Sequence, residues 1–231
     1  MMVNSSEWWT KPREVLVVVD NDSWILPYAA QLVKLIKDAG DIAQLLRSYD
    51  YEGNSDVAFL LGCTTIAPSR FLSLNRKNLV VHESSLPQGR GFSPLTWQIL
   101  EGKNSIPISL IEASEEVDAG KIVGSDIIEF EGHELNDELK AKQAAATLGL
   151  CLKYLSSENV PDGTFQEGPA SYYGRRYPRH SELDISKSIE AQFNHLRVVD
   201  NQRYPAFFEF QGYRYKLLIE KIGRSESENK E

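Results

Sequence analysis

The chain has 231 residues, 42% hydrophobic and 25% charged, with a net charge of −8. That length supports one large domain, alone or with a small appendage, and the acidic balance argues against non-specific attraction to nucleic acid or membrane. No apolar stretch approaches the ~20 residues of a membrane span. Met1 to Glu14 lacks the apolar core of a signal peptide, and Cys63 and Cys151 lack metal-ligand spacing. The expectation is a cytoplasmic protein without a metal site.

Val15 to Val19 is a β-branched run suited to a strand buried on both faces. Asp20-Asn21-Asp22-Ser23 then predicts a turn and helix N-cap. Leu26, Ala30, Val33 and Ile36 fall at helical spacing, with Gly40 as the stop. Ile42 to Leu46 and Val57 to Leu61 predict two more strands, the second running into Gly62-Cys63-Thr64-Thr65. This rhythm predicts an α/β fold with a Rossmann-like, doubly wound, mostly parallel sheet. No Gly-x-Gly-x-x-Gly and no P-loop follow the first strand, which excludes the usual dinucleotide and nucleoside triphosphate sites.

Leu79 to Val81 predicts a central strand that ends on His82 and turns into a loop rich in Ser, Pro and Gly. Ligands of open α/β sheets bind outside the carboxyl ends of strands, and a histidine's unperturbed pKa suits proton transfer near neutrality. His82 either performs such chemistry or merely caps its strand; position alone does not separate the two. Ser93-Pro94 predicts a helix start and Gly102 its stop, followed by strands at Ile108 to Ile111 and Ile122 to Phe130. Leu135 to Leu155 predicts the longest helix. From Pro161 on, tyrosine, arginine, proline and glycine replace the aliphatic runs. A helix at Ser186 to Leu196 and a hairpin at Tyr204 to Phe210 and Tyr213 to Ile219 make a small C-terminal helix-plus-hairpin appendage. The predicted division is 1–160 for the core and 161–231 for the appendage, with a frayed charged tail from Gly223 to Glu231.

The stretch His82-Glu-Ser-Ser-Leu-Pro-Gln-Gly-Arg-Gly resembles the His-Pro-Ser-Leu-Leu-Pro block of formyltransferases that use 10-formyltetrahydrofolate. Glu116-Val-Asp-Ala-Gly resembles that superfamily's Asp-x-Gly segment, and Asp118 follows His82 by 36 positions, the family's usual separation. The C-terminal pieces Tyr-Tyr-Gly-Arg-Arg-Tyr-Pro, Phe193 to Asn201 and Tyr204 to Phe208 resemble the amino-sugar N-formyltransferases. The resemblance implies His82 and Asp118 as catalytic residues. An amine attacks the formyl carbon, a histidine donates to the oxyanion or shuttles the proton, and an aspartate holds the imidazole. It implies a folate site at Thr64, Thr65, Ile66, Glu116, Val117 and Asp118. The aromatic and arginine set Tyr172, Arg175, Arg176, Asn194, Arg197, Asn201, Tyr204 and Phe207 is expected to take a nucleotide-linked sugar. Arg90 either orders its loop or contacts an anionic substrate.

One departure stands out: Val80 occupies the position of the family's oxyanion asparagine. Asn78 lies about 13 Å back from His82 along the same face of the strand and cannot replace it. Ser84, Thr65 or a backbone N–H is then the substitute donor. The implied activity is formyl transfer from 10-formyltetrahydrofolate to a nucleotide-linked 4-amino-4,6-dideoxy sugar, UDP-linked in a pseudaminic-acid-type pathway, by a homodimer without a nucleic-acid partner. Methionyl-tRNA formyltransferase is the alternative enzyme, and a non-catalytic folate- or nucleotide-binding protein the alternative of another class.

Overall fold

The computed structural model describes residues 8–114 and 116–224. A six-stranded sheet forms its centre, built from β1 (Glu14–Val18), β2 (Ile42–Leu46), β3 (Ser55–Leu60), β4 (Asn75–His82), β5 (Ser105–Glu112) and β6 (Ile122–Glu129), in the order β2-β1-β3-β4-β5-β6. The first four strands run parallel, while β5 and β6 return antiparallel. The sheet is therefore mixed, with its parallel part as expected.

Alternating residues of β1 and β3 go to opposite faces and both faces are covered, which is why these strands read as continuous apolar runs. Val15, Val17, Val57 and Phe59 join the larger core beneath α1 (Leu26–Asp38) and α4 (Asn136–Leu155). Leu16, Val18, Ala58 and Leu60 pack on the other face with Phe71 of the short helix α2 (Ser69–Leu72). The remaining helices are α3 (Pro94–Leu100) and α5 (Phe193–Arg197).

The buried stripe of α1 is Ala29, Leu32 and Ile36, and Ala30 is exposed. The expected frame was displaced because Ile25, just ahead of the helix, is the residue that begins the buried series. Neither expected serine cap forms. Ile25 is the N-cap of α1, and Ser93 takes a left-handed φ of 50° with no side-chain cap bond. The expected helix from Ser186 shrinks to α5 and a preceding 3-10 turn, Glu190–Gln192. Asp184 competes with the helix, since its Oδ1 accepts from Ser186 N and Oγ at 3.0 and 2.6 Å and its backbone exchanges bonds with Gln192.

Two small ladders complete the chain. Residues Ala206–Phe210 and Tyr213–Leu217 form the expected hairpin. The other was unforeseen: Arg90–Gly91 pairs in parallel with Tyr172–Tyr173 and ties the late segment to the loop after His82. Gly91 has φ 98°, and a Cβ there would come within 2.5 Å of the Tyr173 carbonyl oxygen, so this close pairing requires glycine. The expected fraying of the tail falls, from residue 225 on, outside the described residues.

Candidate active site

Strands β1, β3 and β4 all point their carboxyl ends to one edge of the sheet, where a cleft of about 860 Å³ opens. That volume suits a ligand of cofactor size. Thr64, Thr65 and Ile66 after β3, His82 at the end of β4, Val117 and Asp118 from the loop between β5 and β6, and Tyr172 and Arg175 from the late segment all line it.

His82 is 5% exposed. Its Nε2 lies 2.8 Å from the Gly89 carbonyl oxygen, and since a carbonyl only accepts, that nitrogen carries a proton and donates. Nδ1 stands 3.6 Å from Asp118 Oδ1, an ion-pair separation too long for a hydrogen bond. Nδ1 is thus the ring nitrogen not committed to a bond. Asp118 is held by two bonds, Gly91 N donating to Oδ2 at 2.9 Å and Gln166 Nε2 donating to its carbonyl at 2.8 Å, and its φ is 55°. A non-glycine residue in the left-handed region is uncommon and costs free energy. The Gln166 clamp, which also bonds Gly120 O at 2.8 Å, holds it there.

The turn after β1 serves the cleft instead of capping α1. Asp20 accepts from Thr64 N and Thr65 N, both at 2.9 Å, and from Asn21 Nδ2 at 2.7 Å. Burial works against its charge, but the bonds from Thr65, Asn21 and Thr64 outweigh burial and hold its pKa at about 2. Thr65 Oγ1 donates to Asp20 at 2.5 Å, so its hydrogen is not free for an oxyanion. Ser84 Oγ is buried without a partner among the described residues, but Ser84 does not line the cleft. Val80 does line it, half-buried beside Leu60 and Phe71. Cys63 also faces the cleft, but burial pushes its thiol pKa up and keeps it protonated.

The expected sugar-site residues divide. Tyr172 and Arg175 are exposed on the cleft wall. Arg90 orders loops: it reaches Glu116 at 2.7 Å and Gln166 at 2.8 Å and is 8% exposed. Glu116 is consequently spent on that pair and does not line the cleft. Arg176 turns away, donating to His180 O at 3.0 Å. Arg197, 1% exposed, is consumed by the carbonyl and carboxylate of Glu134 and by Asn104 and Asn194. Asn201 bonds Ile219, Phe207 lies under Arg214 in the hairpin, and exposed Tyr204 is elsewhere; none of these lines the cleft.

Two cleft residues escaped the sequence reasoning. Glu83, directly after His82, accepts from Gln143 Nε2 of α4 at 2.7 Å. Burial raises the Glu83 carboxyl pKa above the usual range, although His82 and Gln143 oppose that shift. The substitution of glutamate for proline in the His82 block was the visible signal. Among the described residues, no group of three or more His, Cys, Asp or Glu could hold a metal ion, and no helix is long and apolar enough to cross a membrane.

A family profile described as Formyl transferase matches residues 34–150. This chain belongs to the formyl transferase family. It is 26% identical over 176 residues to a methionyl-tRNA formyltransferase of Sulfurihydrogenibium sp., covering 73% of this chain and 55% of that protein. The chain thus spans about half the length of that curated relative. Among solved structures it is similar to the methionyl-tRNA formyltransferase from Clostridium thermocellum, with TM-score 0.77, 21% identity, and 91% and 94% of the two chains covered. HypX from Aquifex aeolicus in complex with tetrahydrofolic acid has TM-score 0.75 and 15% identity over 90% of this chain and 38% of that one. A 4-N formyltransferase from Francisella tularensis has TM-score 0.66 and 19% identity over 91% and 99%. These structural likenesses establish the fold as the formyltransferase Rossmann-like one.

Proposed function

We propose that the chain transfers a formyl group from 10-formyltetrahydrofolate to the amino group of a nucleotide-linked 4-amino-4,6-dideoxy sugar, UDP-linked in the sharpest form of the reading. The observation that carries the transfer chemistry is His82 beside Asp118 at the end of β4, inside a cleft of cofactor size. The pterin would lie against the loop Thr64 to Ile66 that Asp20 holds. His82 Nδ1 would meet the formyl oxygen or the departing folate nitrogen, and Asp118 would orient the ring and stabilise its charged form. A backbone N–H is the remaining candidate for the missing oxyanion donor, since Thr65 is committed and Ser84 is off the cleft.

The sugar half rests on Tyr172 and Arg175, an exposed ring and an exposed guanidinium on the same wall. An aromatic face to stack a base and a cation for a diphosphate are what a nucleotide-linked sugar needs. The appendage proposed for residues 161–231 would supply both, and pairing of its hairpin would make the homodimer. Methionyl-tRNA is the second reading, favoured by the 26% identity to the Sulfurihydrogenibium enzyme. The net charge of −8 opposes it, because tRNA binding draws on phosphate neutralisation. The test is formylation from 10-formyltetrahydrofolate of UDP-, dTDP- and GDP-linked 4-amino sugars beside methionyl-tRNA. Turnover of a sugar well above that of the tRNA supports the proposal; preference for the tRNA replaces it, and no turnover at all leaves a binding protein.

A further inference from the structure

We propose that Glu83 receives the ammonium group of the acceptor and takes its first proton. The inference rests on the formyl-transfer reading and assigns this carboxylate a role within it. Its observations are separate from those for His82 and Asp118. Glu83 lines the cleft and also a side cavity of about 120 Å³, shared with Trp24, Ser93 and Gln143. Among the described residues its carboxylate is reached by Gln143 and by its own backbone N–H, and no lysine, arginine or histidine forms an ion pair with it.

A carboxylate taken from water is stable when a cation or several donors satisfy it. Arg13–Asp41, Arg197–Glu134 and Lys142–Glu134 show how the rest of this protein meets that demand. Glu83 lacks such a partner beside a cleft, so an incoming ammonium is the cation that fits. The groups facing it are few. His82 and Asp118 lie on the cleft side, and Gln143 is neutral. Lys140 in the side cavity is held by Asp200 at 3.1 Å.

The chemistry also requires a second proton acceptor. A primary ammonium carries three protons and the formamide product keeps one. Glu83 takes the first, which frees the nitrogen lone pair to form the N–C bond. As the tetrahedral adduct collapses and the C–N bond to folate breaks, the second proton passes through His82 to the folate nitrogen. His82 Nε2 is committed to Gly89, leaving one ring nitrogen for that second transfer. The Glu83 proton leaves through the side cavity, which is polar and roomy enough for water. The raised carboxyl pKa brings Glu83 toward the operating pH, as a general base needs.

The experiment compares wild type, Glu83→Gln and Glu83→Asp with 10-formyltetrahydrofolate and the amino sugars named above, across pH 5.5 to 9. Tetrahydrofolate binding by thermal shift is measured in parallel. Glutamine keeps the bond to Gln143 but cannot take a proton. The expected result for Glu83→Gln is a loss of about a hundredfold or more in kcat/KM for the acceptor. The acidic limb of its pH profile should flatten and tetrahydrofolate binding should stay unchanged, while Glu83→Asp recovers part of the rate. Glu83→Gln activity within threefold of wild type, or an unaltered acidic limb, overturns the proposal while leaving formyl transfer intact. Wild type that formylates no amine overturns both together.

Discussion

Arg197 offers the sharpest test of what the structure adds, because its sequence suggested the sugar site and its surroundings assign it to the core. Its guanidinium is 1% exposed and bonds Glu134 O at 3.1 Å, Asn104 Oδ1 at 2.9 Å and Asn194 Oδ1 at 2.9 Å. Removing one member of a buried ion pair typically costs about 3–5 kcal/mol. The two directions differ here. Without Arg197, Glu134 still holds Lys142 at 2.7 Å and the backbone N–H groups of Glu131 and Gly132. Arg197→Met should therefore cost about 3 kcal/mol, the lower end. Without Glu134 the buried guanidinium loses its only anion among the described residues, so Glu134→Ala should approach about 5 kcal/mol. At about 2–4 °C per kcal/mol for a chain of this size, Tm should fall by about 6–12 °C in the first variant and more in the second. Urea unfolding at pH 7 measures both. Burial disfavours the Glu134 charge, but Lys142 and the backbone donors prevail and hold its pKa at about 2. A depressed carboxylate stabilises above its unfolded value of about 4.3 and loses that contribution as pH falls toward 2. The gap between wild type and Glu134→Ala should accordingly narrow below pH 4. If Arg197→Met instead lost less than 1 kcal/mol while raising the acceptor KM tenfold, Arg197 would be a substrate residue and its burial a misleading guide.

His82→Asn and Asp118→Asn should each lower formyl transfer by several orders of magnitude with unchanged circular dichroism; near-wild-type turnover in a folded variant removes that residue from the chemistry. Asp20→Ala should raise the tetrahydrofolate Kd by loosening Thr64 and Thr65. Because the Asp20 pKa is held at about 2, the Asp20 contribution to affinity should be constant down to about pH 4 and be lost only as pH approaches 2; a wild-type-minus-variant difference that shrinks already at pH 6 would locate the titrating group elsewhere. Val80→Asn should leave kcat level or lower and reduce Tm, since a carboxamide beside Leu60 and Phe71 strands a polar group at about 1–3 kcal/mol. A tenfold gain in kcat would mean that a donor is simply missing.

The parallel half of the sheet was legible because β1 and β3 are buried on both faces and so carry unbroken apolar runs. His82 was legible because a strand stops there and glycine and proline begin, and Asp118 through its spacing from that point. What escaped was pairing across distance. Gln166 reaches Asp118 over 48 residues and Gln143 reaches Glu83 over 60, and no local pattern distinguishes these glutamines from solvated ones. Arginine misled for a related reason. Arg175 faces the cleft while Arg176 and Arg197 satisfy acceptors inside the fold, a difference made by partners and not by residue type. The shortened helix after Asp184 likewise reflects an aspartate competing locally for backbone donors.

The ladder between Arg90–Gly91 and Tyr172–Tyr173 governs when the outer wall of the cleft is in place. Its strands lie about eighty residues apart, and it is seated by backbone bonds, by Gly89 N to Ser171 Oγ at 2.9 Å, by Tyr173 OH to Glu101 at 2.9 Å, by the Tyr173 ring against Trp97 at 6.2 Å, and by the Trp97 bond to Gly174 at 2.8 Å. A distant pairing closes late because its loop entropy must be overcome first. A two-residue ladder also opens before the six-stranded sheet does. During synthesis, His82 would be in place long before the wall bearing Tyr172 and Arg175 arrives. In the finished protein, a protease nick near residue 170 is expected to release that wall while the core stays folded, and on the proposed reading this lowers acceptor binding and leaves folate binding in place.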